Sequence, residues 1–205
     1  MAKTTDRIWN RIKRKGRGGI FVPKDFLDLG SRASVDQTLS RLVDAVRIRR
    51  LARGLYDYPK QHSRFGDLSP SLDSIAQALA RSTGGKAQVA GAHAANMLGL
   101  SSQVPAKAVY ITDGPSRKVT VGNQVITFKH AAPRSLSGSG TTAGSVYQAL
   151  RFLGPDGVMN DTIQSLRNTL SPEDKDQLLR LRPDMPAWMH PAVDQISQDT
   201  SARGG

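Results

Sequence analysis

Apolar positions recur at helical spacing through the first third of the chain and then change period. In "TTDRIWNRIKRKGRGG", Ile8, Trp9 and Ile12 share one face, Thr4 or Thr5 can cap the helix, and glycines 16, 18 and 19 end it. In "GIFVPKDFLDLG", Phe21 and Val22 read as a short extended segment. Pro23 suits the first turn of a second short helix bearing Phe26, Leu27 and Leu29, which Gly30 stops. "SRASVDQTLSRLVDAVRI" gives a third helix, with Ser31 as cap and Val35, Leu39, Leu42 and Val43 as its buried stripe. Arg32, Ser34, Gln37, Thr38 and Arg41 are left outward. After Ala45 the period shortens: Ile48, Leu51 and Leu55 face inward while Arg47, Arg49, Arg50 and Arg53 stay wet. "IRRLA" and "GLYDY" then pair as a hairpin with Gly54 at the bend or a bulge, and one or both of Tyr56 and Tyr58 pack it on the helices.

Three short helices followed by a small basic hairpin make a winged helix-turn-helix over residues 1–64, whose third helix enters the major groove. "PKQHSRFGDLSPS" reads as a polar connector. From 65 to 195 the pattern predicts a mixed helical domain with a small antiparallel sheet, so the fold class is α+β. "LDSIAQALARSTGG" is a helix stopped by Gly84, and small residues in "GAHAANMLGL" imply that something packs closely on that helix, with His93 packed or capping. Val109 and Ile111, Val119 and Val121, then Val125, Ile126 and Phe128 mark three strands. Helices follow at about 141–153 and 158–170. Another starts at Ser171 and Pro172, with Asp174 able to close a capping box. Trp188 is expected to dock the proline-interrupted tail, and 196–205 to be disordered.

Charge sharpens this picture. The 205 residues carry 29 Lys and Arg against 17 Asp and Glu. Residues 1–64 hold 16 basic and 6 acidic side chains, a net +10, while the remainder holds 13 and 11. A basic domain on a nearly neutral one puts a polyanion contact in the first domain. Gln and Arg on a groove-entering helix can grip adenine or guanine edges. Arg14, Lys15 and Arg17 join Arg47, Arg49, Arg50 and Arg53 as candidate phosphate contacts. Arg117, Lys118, Lys129 and Arg134 are a possible further basic surface. A winged helix can also be a protein-binding platform, and the net +10 argues against that here.

Candidate chemistry is thin. No cysteine is present, and His62, His93, His130 and His190 stand apart from one another, so neither metal nor cofactor is expected. "SLSGSGTTAGSVYQALRFLG" lacks the Gly-Lys-Ser/Thr of a phosphate loop and reads instead as a flexible lead into a capped helix. No Gly-x-Ser-x-Gly elbow accompanies a histidine, so no enzyme is expected. The sequence has no apolar run near eighteen residues and no secretory leader, and a cytoplasmic, membrane-free protein is expected. No heptad or dimer helix sets the oligomeric state.

The order of "TLSRLVDAVRIRRLARGLYDYP", "SIAQALARSTGGKAQVAGAHAANMLGLSSQVPAKAVYITDG" and "RKVTVGNQVITFKHAAPRSL" resembles the AbiEi-type antitoxins of bacterial toxin–antitoxin pairs, over residues 5 to 137. The resemblance implies an N-terminal winged helix that binds double-stranded promoter repeats and represses its own promoter. It also implies a C-terminal domain that neutralises a cognate nucleotidyltransferase-like toxin protein. The recognition-helix role then falls on Arg32, Ser34, Gln37, Thr38 and Arg41, and the wing role on Arg49, Arg50 and Arg53. No neutralising residue is implied, and the resemblance is loosest after 137.

Overall fold

The computed structural model describes residues 4–103 and 107–198. It is a mixed α+β protein with eight α-helices and three small sheets among the described residues. Two compact units divide the chain, Met1–Gly85 with Lys118–Ile126 and Lys86–Arg117 with Thr127–Gly205.

In the first unit, α1 (Thr4–Lys15) buries Ile8 and Ile12, one turn apart, while Thr4 and Thr5 lie inside the helix rather than capping it. Strand β1 (Ile20–Phe21) follows. Where a short α-helix was expected, Pro23–Phe26 forms one 3-10 turn, fixed by the Asp25 carboxylate accepting from the Val22 N–H at 3.0 Å. Phe26 and Leu29 bury as expected, but Leu27 is exposed, because a single tight turn presents only one side to the core. Ser31 caps α2 (Arg32–Asp44) by accepting from the Ser34 N–H at 3.3 Å.

The chain leaves α2 through a Schellman-type reversal, with the Arg47 N–H on the Leu42 carbonyl at 2.9 Å. The left-handed position is Val46 (φ +54°), where glycine is usual. Strands β2 (Arg49–Ala52) and β3 (Leu55–Asp57) then pair antiparallel around Gly54 (φ +71°), with a register break between Arg50 and Ala52. Strand β1 joins the other edge of β3, Ile20 opposite Asp57, giving the order β1-β3-β2. The connector beyond forms a second hairpin of β4 (Lys60–His62) and β5 (Gly66–Leu68). Helix α3 (Leu72–Thr83) closes the unit between its Ser71 cap and Gly84 in the left-handed region.

The second unit opens with a strand the pattern did not reveal, β6 (Ala87–Val89), buried at every position. It pairs with β7 (Ala108–Thr112), in a sheet of order β6-β7-β9-β8 completed by β8 (Arg117–Val121) and β9 (Gln124–His130), of which Lys118–Ile126 count with the first unit. The inward face of β7 is Ala108, Tyr110 and Thr112, not Val109 and Ile111, and Val125 on β9 is exposed. Helix α4 (Gly91–Met97) meets α5 (Thr142–Gly157) so closely that a Cβ on Gly91 would lie 2.5 Å from Phe152 Cβ. The expected close packing is thus between these two helices.

Helix α5 breaks at Gly154 (φ +71°), next to Pro155. Its apolar side packs with α6 (Asn160–Thr169), α7 (Pro172–Leu181) and α8 (His190–Ser197) around Leu150, Leu166, Leu178 and Val193. Ser171 caps α7, accepting from the Asp174 N–H at 3.1 Å. Met185 and Met189, rather than the partly exposed Trp188, dock the segment before α8. Ile196, assigned above to the tail, is helical and buried; 199–205 lie outside the described residues. The glycine-rich stretch ahead of α5 is packed, not loose: Gly138 lies backbone to backbone against Gly144, and the Gly140 N–H donates to Gln88 Oε1 at 2.9 Å.

Candidate nucleic-acid interface

The outer face of α2 follows from its buried stripe. With Val35, Thr38, Leu39 and Leu42 turned into the core, the opposite side presents Ala33, Gln37, Ser40, Arg41 and Asp44, all exposed. Gln37 and Arg41 hold no side-chain partner among the described residues. Two expected contacts are otherwise engaged. Thr38, expected outward, is buried at 3% exposure, its hydroxyl 3.5 Å from that of Thr5 on α1, because its position continues the Val35–Leu42 stripe. Arg32 is exposed but bridged to Asp36 one turn on, at 2.8 Å. Ser34 is half-buried beside the cap. Sequence reasoning missed Ala33 and Ser40, small side chains whose exposure becomes evident only once the stripe is fixed.

Beside α2 stands the β2–β3 hairpin. Arg50 and Arg53 are exposed and unpaired among the described residues. Arg49, expected to stay wet, is drawn inward instead. Its guanidinium grips the fully buried Asp57 carboxylate at 3.1 and 2.6 Å and donates to the Leu68 carbonyl at 2.8 Å. A buried carboxylate demands such a partner, so this arginine belongs to the fold rather than to a ligand. A cleft of about 670 Å³ opens between α2, the hairpin turn and α3, lined by Lys24, Arg32, Asp36, Asp44, Arg50 and Arg53 among others. Its two aspartates neutralise half the charge of its four cations, Asp36 through the bridge to Arg32.

The other basic residues divide the same way. Arg14 is exposed and free among the described residues. Lys15, expected at phosphate, donates to the Ile20 carbonyl at 2.9 Å over the Phe21 ring, and burial, aided by nearby Arg81, lowers its pKa. Arg17 donates to the Pro59 carbonyl at 3.1 Å and stacks on Tyr58. Arg47 is exposed and lies 5.3 Å from the Trp9 ring, which Tyr58 meets edge-on at 5.5 Å. On α1, Arg11 forms a two-pronged bridge to Asp28 at 2.6 and 2.7 Å, which raises the guanidinium's pKa and lowers the carboxyl's. Of the further basic residues, Lys118 and Lys129 are exposed, and Arg117 lies over Phe128 at 4.9 Å. Arg134 is spent on the Asp184 and Pro183 carbonyls at 2.8 and 3.0 Å. No helix is long and apolar enough to cross a membrane among the described residues.

Fold and surface together define an α+β protein whose first unit presents a polar helix face beside an arginine-bearing hairpin. The chain belongs to the Family of unknown function (DUF6088), whose model matches residues 7–178. No curated protein matches it, and neither does any solved structure.

Proposed function

We propose that the first unit is a winged helix-turn-helix that binds double-stranded DNA with site preference, and that the protein is a non-enzymatic transcriptional regulator acting on its own promoter. The observation that carries this reading is the pairing of unengaged Gln37 and Arg41 on the outer face of α2 with unengaged Arg50 and Arg53 on the adjoining hairpin, in the part of the chain that holds nearly all its excess positive charge. In it α2 reads base edges, and Arg50, Arg53 and Arg14 meet phosphates. The resemblance to AbiEi-type antitoxins supports a second role, neutralisation of a nucleotidyltransferase-like toxin, assigned to the second unit.

A salt titration against promoter DNA and scrambled DNA of equal length tests the reading. Gln37→Ala and Arg41→Ala should each lose about 1–3 kcal/mol of preference for the site while leaving scrambled DNA nearly unaffected. Arg50→Ala with Arg53→Ala should weaken binding to both DNAs and flatten the logarithmic salt slope by about 1.8, two phosphates' worth. Equal affinity of the wild type for both sequences would remove the regulator from the proposal. Absence of binding at low salt would remove DNA. Co-expression with a candidate toxin encoded nearby tests the second role: growth should be restored by the full chain and remain restored with Arg41→Ala.

A further inference from the structure

The β4–β5 hairpin carries side chains that the fold does not use. Lys60, Gln61, His62, Ser63, Arg64, Phe65, Gly66 and Asp67 are all exposed in succession. Phe65 at the turn is 75% exposed, and its ring neighbour is His62, 4.9 Å away between centroids. A two-stranded hairpin without a core beneath it is marginal in water. This one is held at its base. Arg17 donates to the Pro59 carbonyl at 3.1 Å, and the Gly18 N–H to the Tyr58 carbonyl at 2.6 Å, where the chain enters β4. At the end of β5, Arg49 donates to the Leu68 carbonyl at 2.8 Å and faces Asp67 at 3.8 Å. Two arginines, Arg17 in the turn after α1 and Arg49 on β2, thus fix both ends of an arm whose tip is aromatic.

We propose that this arm is a DNA-distorting wedge: Phe65 stacks into a base step of duplex DNA while Lys60 and Arg64 meet the flanking phosphates. The proposal rests on the DNA-binding reading above. Three reasons select a nucleic acid over a protein surface. The only carboxylate on the arm, Asp67, already faces Arg49, which leaves Lys60 and Arg64 as unopposed charge. The aromatic is single and at the tip, where a protein-docking face would spread apolar area along the strands. Three residue pairs extend the arm by about 10 Å, enough to pass the roughly 7.5 Å depth of a minor groove. Apolar side chains entering from that groove unstack and kink the duplex.

The experiment uses the full chain and promoter duplexes carrying 2-aminopurine at each position in turn, with a second set end-labelled for energy transfer. The wild type should brighten the base analogue several-fold at one step and shorten the end-to-end distance. Phe65→Ala should abolish both signals at saturation and weaken binding by roughly 5- to 160-fold, the range for losing one base–aromatic stack. Its site preference and salt slope should persist. Phe65→Trp should restore brightening. Site-preferring binding by the wild type with no brightened position would overturn the wedge and leave the regulator standing, as would Phe65→Ala retaining the distortion, which would turn the aromatic tip over to a protein partner. Absence of site-preferring binding by the wild type would overturn both.

Discussion

Arg49→Ala separates a structural arginine from a DNA-contacting one. The Asp57 carboxylate is fully buried, and its partner is the Arg49 guanidinium at 2.6 and 3.1 Å. Removing one member of a buried pair strands the other charge, at a cost of about 3–5 kcal/mol. The Arg49 side chain is 33% exposed, so water already screens the pair in part and can enter the space left by alanine. That brings the expected loss to about 2–3 kcal/mol. Urea unfolding followed by Trp9 fluorescence measures it in a Trp188→Phe background, where Trp9 is the sole tryptophan. With a slope of about 2 kcal/mol per molar urea, the midpoint should fall by about 1 M or more. An Arg49→Met, Asp57→Leu double variant removes both charges and should recover most of the loss. A phosphate contact would behave otherwise, lowering the salt slope of DNA binding by about 0.9 with little change in stability. Loss below about 0.5 kcal/mol, the range of ordinary surface substitutions, would refute the structural assignment.

Two further outcomes follow from the first unit's geometry. Val46→Gly should stabilise the protein by up to about 1 kcal/mol, since a β-branched residue at φ +54° and 87% exposure carries left-handed strain with no packing to offset it; a melting temperature that is unchanged or lower would show that the reversal is not strained. Asp28→Asn should destabilise only above the carboxyl's titration. Arg11 holds the folded carboxyl below its ordinary 3.8, so the contribution is complete above the ordinary value and vanishes as pH falls through the lower folded value; the melting temperatures of wild type and variant should therefore draw together as pH falls below 3.8, and a gap that stays constant with falling pH would exclude the ion pair as its cause.

The helices were legible wherever an apolar stripe and a cap coincided, as at Ser31 with Val35 and Leu39 or at Ser171 with Pro172. Both hairpin strands around Gly54 were legible too, since alternation and a turn residue lie within ten positions. What escaped was whatever depended on distant partners. Arg17 finds the Pro59 carbonyl 42 residues away and Arg49 finds that of Leu68 19 residues away, and no local pattern distinguishes them from Arg50. Thr38 was misplaced because a hydroxyl reads as polar although its position continues a buried stripe. Strand β6 was invisible because three wholly buried residues show no alternation, and the inward face of β7 was not legible because its largest buried side chain is a tyrosine. The proposed interface is built from fewer arginines than expected: α2 offers Gln37 and Arg41, the hairpin Arg50 and Arg53, as the side chains without an internal partner among the described residues.

"SLSGSGTTAG" has the composition of a tether, and an engineer choosing where to split the chain, splice in a reporter or offer a protease a cutting site would pick it first. Its geometry advises the reverse. At Gly138 and Gly144 the two backbones touch where a side chain on Gly144 would have to stand, and Gln88 reaches across to hold Gly140. Even one added methyl group there would force the loop off the start of α5. The exposed turn at Ser63–Arg64, whose only contacts are within its own arm, is where the fold would tolerate the cut, at the expense of the wedge proposed for it.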